Sequence, residues 1–168
     1  MIKGLTVSAL SIIVLVVVVS VVSTMSPPLH AGGATRIAGI GFFADPGECL
    51  DEQGAEADLA LRMTGDLVGC HYIFVEEWGC TRSGTYHERG TEVFVGEYNG
   101  KTGTFATTYL FTAKLASCPD LSTEIFGRCQ HPIVRGSGTD DFEGVTGRFD
   151  VKDDLEAGNF PYKGHLRW

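Results

Sequence analysis

The chain has 168 residues, five cysteines, 22 glycines and a formal net charge of −8, which is room for one domain of ordinary size. The first 31 residues carry one lysine and no acid; the other 137 hold 12 basic and 21 acidic side chains, a net −9. So acidic a domain, with no basic cluster, argues against nucleic acid or an anionic membrane surface as partner, and its many glycines suit tight turns between strands better than long helices.

Lys3 is followed by an almost wholly apolar run, Leu5 to Val22, and then by Pro27 and Pro28. Ala31 before Gly32 is a small residue where a signal peptidase would cut, so residues 1–31 read as a secretory signal. The run of 18 residues is also near the ~20 that span a bilayer, which makes a retained membrane anchor the alternative. On either reading the remainder is secreted or extracytoplasmic.

Export gives the cysteines a meaning. Cys49, Cys70, Cys80, Cys118 and Cys129 are expected to form disulfides in an oxidising compartment. Five is odd, so at least one thiol stays free or pairs outside the chain. There is no CxxC and no zinc-like Cys/His spacing, so no metal is expected. Cys118 and Cys129 flank a Pro-Asp turn and are the expected pair, closing a short loop between two strands; the partners of the other three stay open.

Residues 32–57 form a Gly-rich segment, read as a tether with one strand near Arg36–Phe43 and room for a helical turn after Leu50. From Asp58 to Trp168 short alternating runs follow one another. They predict strands at Asp58–Thr64, Leu67–Glu77, Thr85–Tyr98, Thr102–Leu115, Glu124–Gly136, Val145–Asp153 and Phe160–Trp168. Asn99-Gly100 marks a hairpin between two of them.

The alternation also says which face is dry. Phe105, Thr107, Tyr109, Phe111, Ala113 and Leu115 share one face of their strand; Val145, Gly147, Phe149 and Val151 share another. Phe160, Tyr162, Gly164, Leu166 and Trp168 do the same at the C-terminus. Period two with one apolar face means a sheet wet on one side. Seven or eight such strands without helices must close or stack. The expected fold is all-β: a small closed antiparallel barrel of about eight strands over residues 58–168, filled by side chains or holding one small ligand.

Gly136–Asp154 contains Gly136, Gly138, Phe142, Gly144 and Gly147 in the pattern Gly-x-Gly, Phe-x-Gly and a further glycine before a strand. This resembles the allene oxide cyclase and dirigent barrel superfamily, a calycin-like barrel, and Glu143 and Val145 bring it nearer the cyclases. Gly127–Ile133 and Gly158–Leu166 resemble uncharacterised secreted bacterial proteins of that barrel type. The resemblance implies the fold, with Phe142 plugging the barrel mouth. It does not carry activity: the plant cyclases place their catalytic acid on early strands, and Arg36–Thr64 has no matching motif.

The candidate ligand-binding residues are the large or polar side chains expected inside: Tyr72, Phe105, Tyr109, Phe111, His131, Arg135, Phe149 and Tyr162. His131 shares a face with Cys129 and Ile133, where it would titrate, bind a ligand oxygen, or serve as a hydrogen-bonded structural residue. Arg135, on the same face, would anchor an anionic ligand or pair with an acid at the rim. The tyrosines suit an apolar pocket that orients a polar group, and equally suit ordinary core. Glu76 and Glu77 read as solvated strand-end charges, and Glu88 and Glu92 share a face that Arg89 does not. His71, His87 and His165 lack HxH or HExxH spacing.

A nucleophile elbow, a P-loop and a dinucleotide fingerprint are all absent, so no cofactor is expected. The leading expectation is an exported barrel that binds a small apolar or amphipathic molecule, or a surface partner, without catalytic machinery. The alternative is a cofactor-independent cyclase or isomerase. A solid structural barrel is the third reading. A cavity of a few hundred Å³ with two or more inward polar residues separates the first two from the third.

Overall fold

The computed structural model describes residues 33–118 and 121–168. The expected leader, residues 1–31, lies outside them, as does the Pro119-Asp120 turn. Among the described residues, eight strands follow in order: β1 (Thr35–Phe43), β2 (Leu59–Gly65), β3 (Val68–Cys80), β4 (Thr85–Tyr98), β5 (Lys101–Ser117), β6 (Ser122–Pro132), β7 (Thr146–Lys152) and β8 (Phe160–Arg167). Each pairs antiparallel with the next, and β8 pairs with β1, so the sheet closes into a barrel. Closure is the physical solution for staves that each have one dry face, because it leaves no unpaired edge.

β1 changes the expected boundary. The sequence expects a strand near Arg36–Phe43 but within a tether; Thr35–Gly41 pairs with β8 and Gly39–Phe43 with β2, so the barrel begins at Thr35 rather than Asp58. The segment between β1 and β2 contains a single 3-10 turn, Glu52–Gly54, and packs on the outside of β3. Cys49 bonds to Cys70 there. Beside it the Tyr72 hydroxyl donates to Asp51 Oδ2 at 2.6 Å and accepts from the Asp51 N–H at 3.0 Å.

The disulfides correct the expected pairing. Cys80 bonds to Cys118, with 5.7 Å between Cα atoms, and Cys49 to Cys70, with 5.5 Å. Cys129 is a buried free thiol. The register of β5 and β6 explains why Cys118 and Cys129 do not meet. Ser117 faces Ser122 and Phe111 faces Cys129, which puts Cys129 about 20 Å along the hairpin from Cys118. A disulfide requires Cα atoms within about 7 Å. Two disulfides fit an oxidising environment. Among the described residues no helix is long and apolar enough to cross a membrane.

Aromatic rings pack one half of the interior. Phe94, Phe105 and Phe142 are fully buried there, with ring centroids 4.9 Å apart for Phe94 and Phe105 and 5.3 Å for Phe105 and Phe142. Phe142 sits on a 3-10 turn (Asp140–Phe142) and plugs this end against Phe94, Phe105 and Trp168. Tyr162 adds a polar tie: its hydroxyl accepts from the Leu67 N–H at 2.8 Å and donates to the Thr64 carbonyl at 3.1 Å. The other half contains a cavity, and it holds the candidate site.

Candidate functional site

Three strands deliver ionisable side chains to the middle of the barrel. Glu92 on β4 faces Thr107 on β5, and His131 on β6 faces Phe149 on β7. His71 enters from β3. Alternation sends all of these inward, and their burial is nearly complete: relative exposure is 1% for His71, 1% for Glu92, 0% for Thr107 and 4% for His131. Side chains of this kind are almost never buried without partners.

The partners converge on one atom. Glu92 Oε2 accepts the Thr107 hydroxyl at 2.5 Å, lies 2.7 Å from His131 Nδ1, and lies 3.1 Å from His71 Nε2. The His71 contact has ion-pair distance but not hydrogen-bond alignment, and both ring nitrogens of His71 are without a hydrogen bond. His131 Nε2 is also unpartnered. Burial alone would raise the Glu92 carboxyl, but the two imidazoles outweigh it and hold the group below the usual carboxylate range. Glu92 is therefore a carboxylate, and the His131 Nδ1–H donates to it.

Above this centre is a cavity of about 280 Å³ at one end of the barrel, with Glu92 and His131 in its lining. Leu61, Ile73, Phe111, Val151 and Phe160 supply apolar wall. Glu88, Tyr109, Glu124 and Asp153 supply polar groups. Glu88 accepts the Tyr86 hydroxyl at 2.5 Å and the Tyr109 hydroxyl at 2.8 Å, and burial together with these bonds raises both phenols. Glu124 is pushed up to about 7 by burial and by Asp153 beside it, and burial raises Asp153 as well. The Cys129 thiol is in the wall too; burial, then Glu92, raises it, so it is a neutral thiol and a poor nucleophile. A wider groove of about 630 Å³ lies on the outer face between Arg36, Arg148 and Lys163, where the charges are solvated.

The structure sorts the candidates from the sequence. Tyr109, Phe111 and His131 line the cavity, and Phe149 lies against the His131 ring. Phe105 and Tyr162 face inward but belong to the packed core. Tyr72 is a correction: it is buried, but beneath the segment between β1 and β2, because its neighbour His71 takes the inward position. Burial and the Asp51 bond push its phenol up to about 12. Arg135 is a second correction: β6 ends at Pro132, so alternation no longer applies, and Arg135 is exposed.

Sequence reasoning missed His71 and Glu92 as site residues. The three members of the cluster are 21 and 39 residues apart, so no short motif joins them. One signal was present: Glu92 interrupts the inward file of β4, which continues to Phe94 and Tyr98. Comparison with family models finds no match for the chain, and comparison with curated proteins finds none.

Proposed function

We propose that this protein is an exported barrel that binds one small, mostly apolar molecule, with a hydrogen-bond donor on that molecule directed at the cavity floor. The observation that carries this reading is the cavity of about 280 Å³ with Glu92 and His131 at its base. Ligand pockets commonly run from about 300 to 1,000 Å³, so this one suits a small molecule. It has more than two inward polar residues, which favours a ligand over a merely filled interior.

The lining also selects charge. Its ionisable groups include Glu88, Glu92, Glu124 and Asp153, with neither lysine nor arginine among them. An anion would be repelled there, and Arg135 is outside and offers no anchor. His131 Nε2 is a further polar atom without a partner in the protein, while its Nδ1–H is committed to Glu92. Acceptors above apolar wall favour a donor-bearing ligand. The two disulfides and the expected leader support the exported location.

Two fluorescent probes test this. N-phenyl-1-naphthylamine is apolar, uncharged and carries one N–H; 8-anilinonaphthalene-1-sulfonate has a similar body and an anionic group. The first is expected to bind at one site per chain and to be lost in Val151→Phe, which fills the cavity. The anionic probe is expected to bind more weakly. Failure of both to bind, or binding unaffected by Val151→Phe, overturns the reading.

One observation favours a second reading, a cofactor-independent isomerase. A buried carboxylate 2.7 Å from one imidazole nitrogen, with the other nitrogen unpartnered, is the arrangement that prepares a histidine as general base. A small molecule copurified from the secreting host, and converted by the protein but not by His131→Gln, would establish it.

A further inference from the structure

We propose that His71, Glu92 and His131 form a binding site for one divalent transition-metal ion at the floor of the cavity. This goes beyond the reading above, because the site does not need the cavity's organic ligand. The three side chains come from three strands, and one ligand atom of each lies within 4.8 Å of the others. The separations from Glu92 Oε2 are 2.7 Å to His131 Nδ1 and 3.1 Å to His71 Nε2. Adjacent ligands around an ion at about 2.1 Å stand about 3–3.4 Å apart, so the two Glu92 pairs are near coordination spacing and the imidazole nitrogens would only have to adjust around the ion.

The donor set selects the class of ion. Two imidazoles and one carboxylate suit zinc, iron, cobalt, nickel or copper; calcium and magnesium take oxygen ligands. Charge agrees: an ion at Oε2 would offset a carboxylate buried inside the barrel. Geometry agrees as well. His71 is 1% exposed, and neither ring nitrogen has a hydrogen bond within the protein, yet Nε2 stands at the carboxylate. A metal ion would give that nitrogen a directed partner.

The surroundings hold the ligands in place. Phe149 stacks on the His131 ring with centroids 4.7 Å apart and meets the His71 ring edge-on at 5.4 Å. Thr107 fixes the carboxylate from the facing strand. Such outer contacts set ligand orientation. Because Glu92 and His131 line the cavity, coordination positions beyond these three ligands face open space. The distal nitrogens, His71 Nδ1 and His131 Nε2, have no protein partner. Missing anchors of that kind weaken a site by about 10–100-fold, so the ion is exchangeable rather than permanent.

The test uses the exported chain, stripped with chelator and titrated separately with Co²⁺ and Zn²⁺. Calorimetry is expected to find one ion per chain, and Co²⁺ to give a visible d–d band of nitrogen and oxygen ligation. Glu92→Gln is expected to weaken binding at least tenfold, on the order of the loss of a ligand or its support. His165→Ala, on the outer face, is expected to bind as the original protein does. Circular dichroism checks that each variant is folded. If Glu92→Gln does not fold, Co²⁺ bound to the unaltered protein settles the point: it must give paramagnetically shifted proton resonances from two histidine rings, and none from His165. No binding below millimolar metal, binding unchanged in Glu92→Gln, or binding lost in His165→Ala overturns the proposal. Binding of the naphthylamine probe to metal-free protein is read separately, so either reading can fail without the other.

Discussion

The His131 and Phe149 rings stack across β6 and β7, with 4.7 Å between centroids and 6° between planes. Phe149 is 1% exposed and also meets His71 and Tyr162 edge-on. It therefore joins the packed half of the barrel to the ionisable centre. Phe149→Ala is expected to cost about 3–5 kcal/mol, from lost transfer energy and the void left behind. Phe149→Leu, which keeps much of the volume, should cost clearly less. Urea denaturation of both variants checks this, and equal costs would show that the loss is not one of volume.

Thr107 isolates one hydrogen bond. Its hydroxyl donates to Glu92 Oε2 at 2.5 Å, and it is fully buried. Valine has nearly the same shape, so Thr107→Val removes the donor without opening a void. Hydrogen bonds to charged groups contribute about 1.5–3 kcal/mol, and a loss in that range is expected by denaturation. A change below about 0.5 kcal/mol would mean that the two histidines suffice to hold the carboxylate.

Glu124 and Asp153 make stability depend on pH. Folding raises Glu124 from 4.5 to about 7, first through burial and then through Asp153. The folded chain then binds more protons than the unfolded chain between those two values. By linkage, the stabilisation from Glu124 is fully present below about 4.5 and is lost as pH rises through about 7. Glu124 is partly open to solvent, so the effect is a modest one. The melting temperature should fall between pH 5 and pH 8, and Glu124→Gln should remove most of that slope. A slope unchanged in Glu124→Gln would assign it to other groups.

Peptide mapping without reduction should recover Cys49 with Cys70 and Cys80 with Cys118. Cys129 should react with iodoacetamide only after unfolding, since it is buried and its thiol is raised. With separations of 21 and 38 residues, each bond should contribute about 3–4 kcal/mol by restricting the unfolded chain. Recovery of a Cys118–Cys129 peptide would contradict the β5–β6 register.

These bonds also show which features were legible in the sequence. Period-two alternation placed β2 to β8 to within a few residues and assigned the inward faces of β5, β7 and β8, because burial on one side only leaves that pattern directly. Disulfides and clusters depend on register and closure, which alternation does not encode. Cys80 and Cys118 meet at the ends of β3 and β5, two strands apart, and no local spacing announces it. His71 and His131 likewise meet Glu92 only because the staves curve around one axis. Tyr72 is buried without facing the interior, because the segment between β1 and β2 covers it from outside, which its bulk and hydroxyl alone do not announce.

Gly144 and Gly147 separate backbone strain from collision. Both have positive φ, +80° and +136°, where side chains with a Cβ are strained. An added Cβ at Gly144 would meet open space, whereas at Gly147 it would run into the His165 carbonyl on β8. Gly144→Ala is therefore expected to cost about 1–2 kcal/mol, the strain alone. Gly147→Ala must also push β8 away from β7, and should cost more than Gly144→Ala. Glu143→Gln and Arg148→Gln are the controls. Glu143 is exposed, and Arg148 meets Asp150 at 3.0 Å in an ion pair open to solvent, so each should stay within about 1 kcal/mol. Thermal melts of the four variants decide the point. If Glu143→Gln destabilises more than Gly147→Ala, the glycines are not what shapes this turn, and the entry into β7 depends on the charged side chains instead.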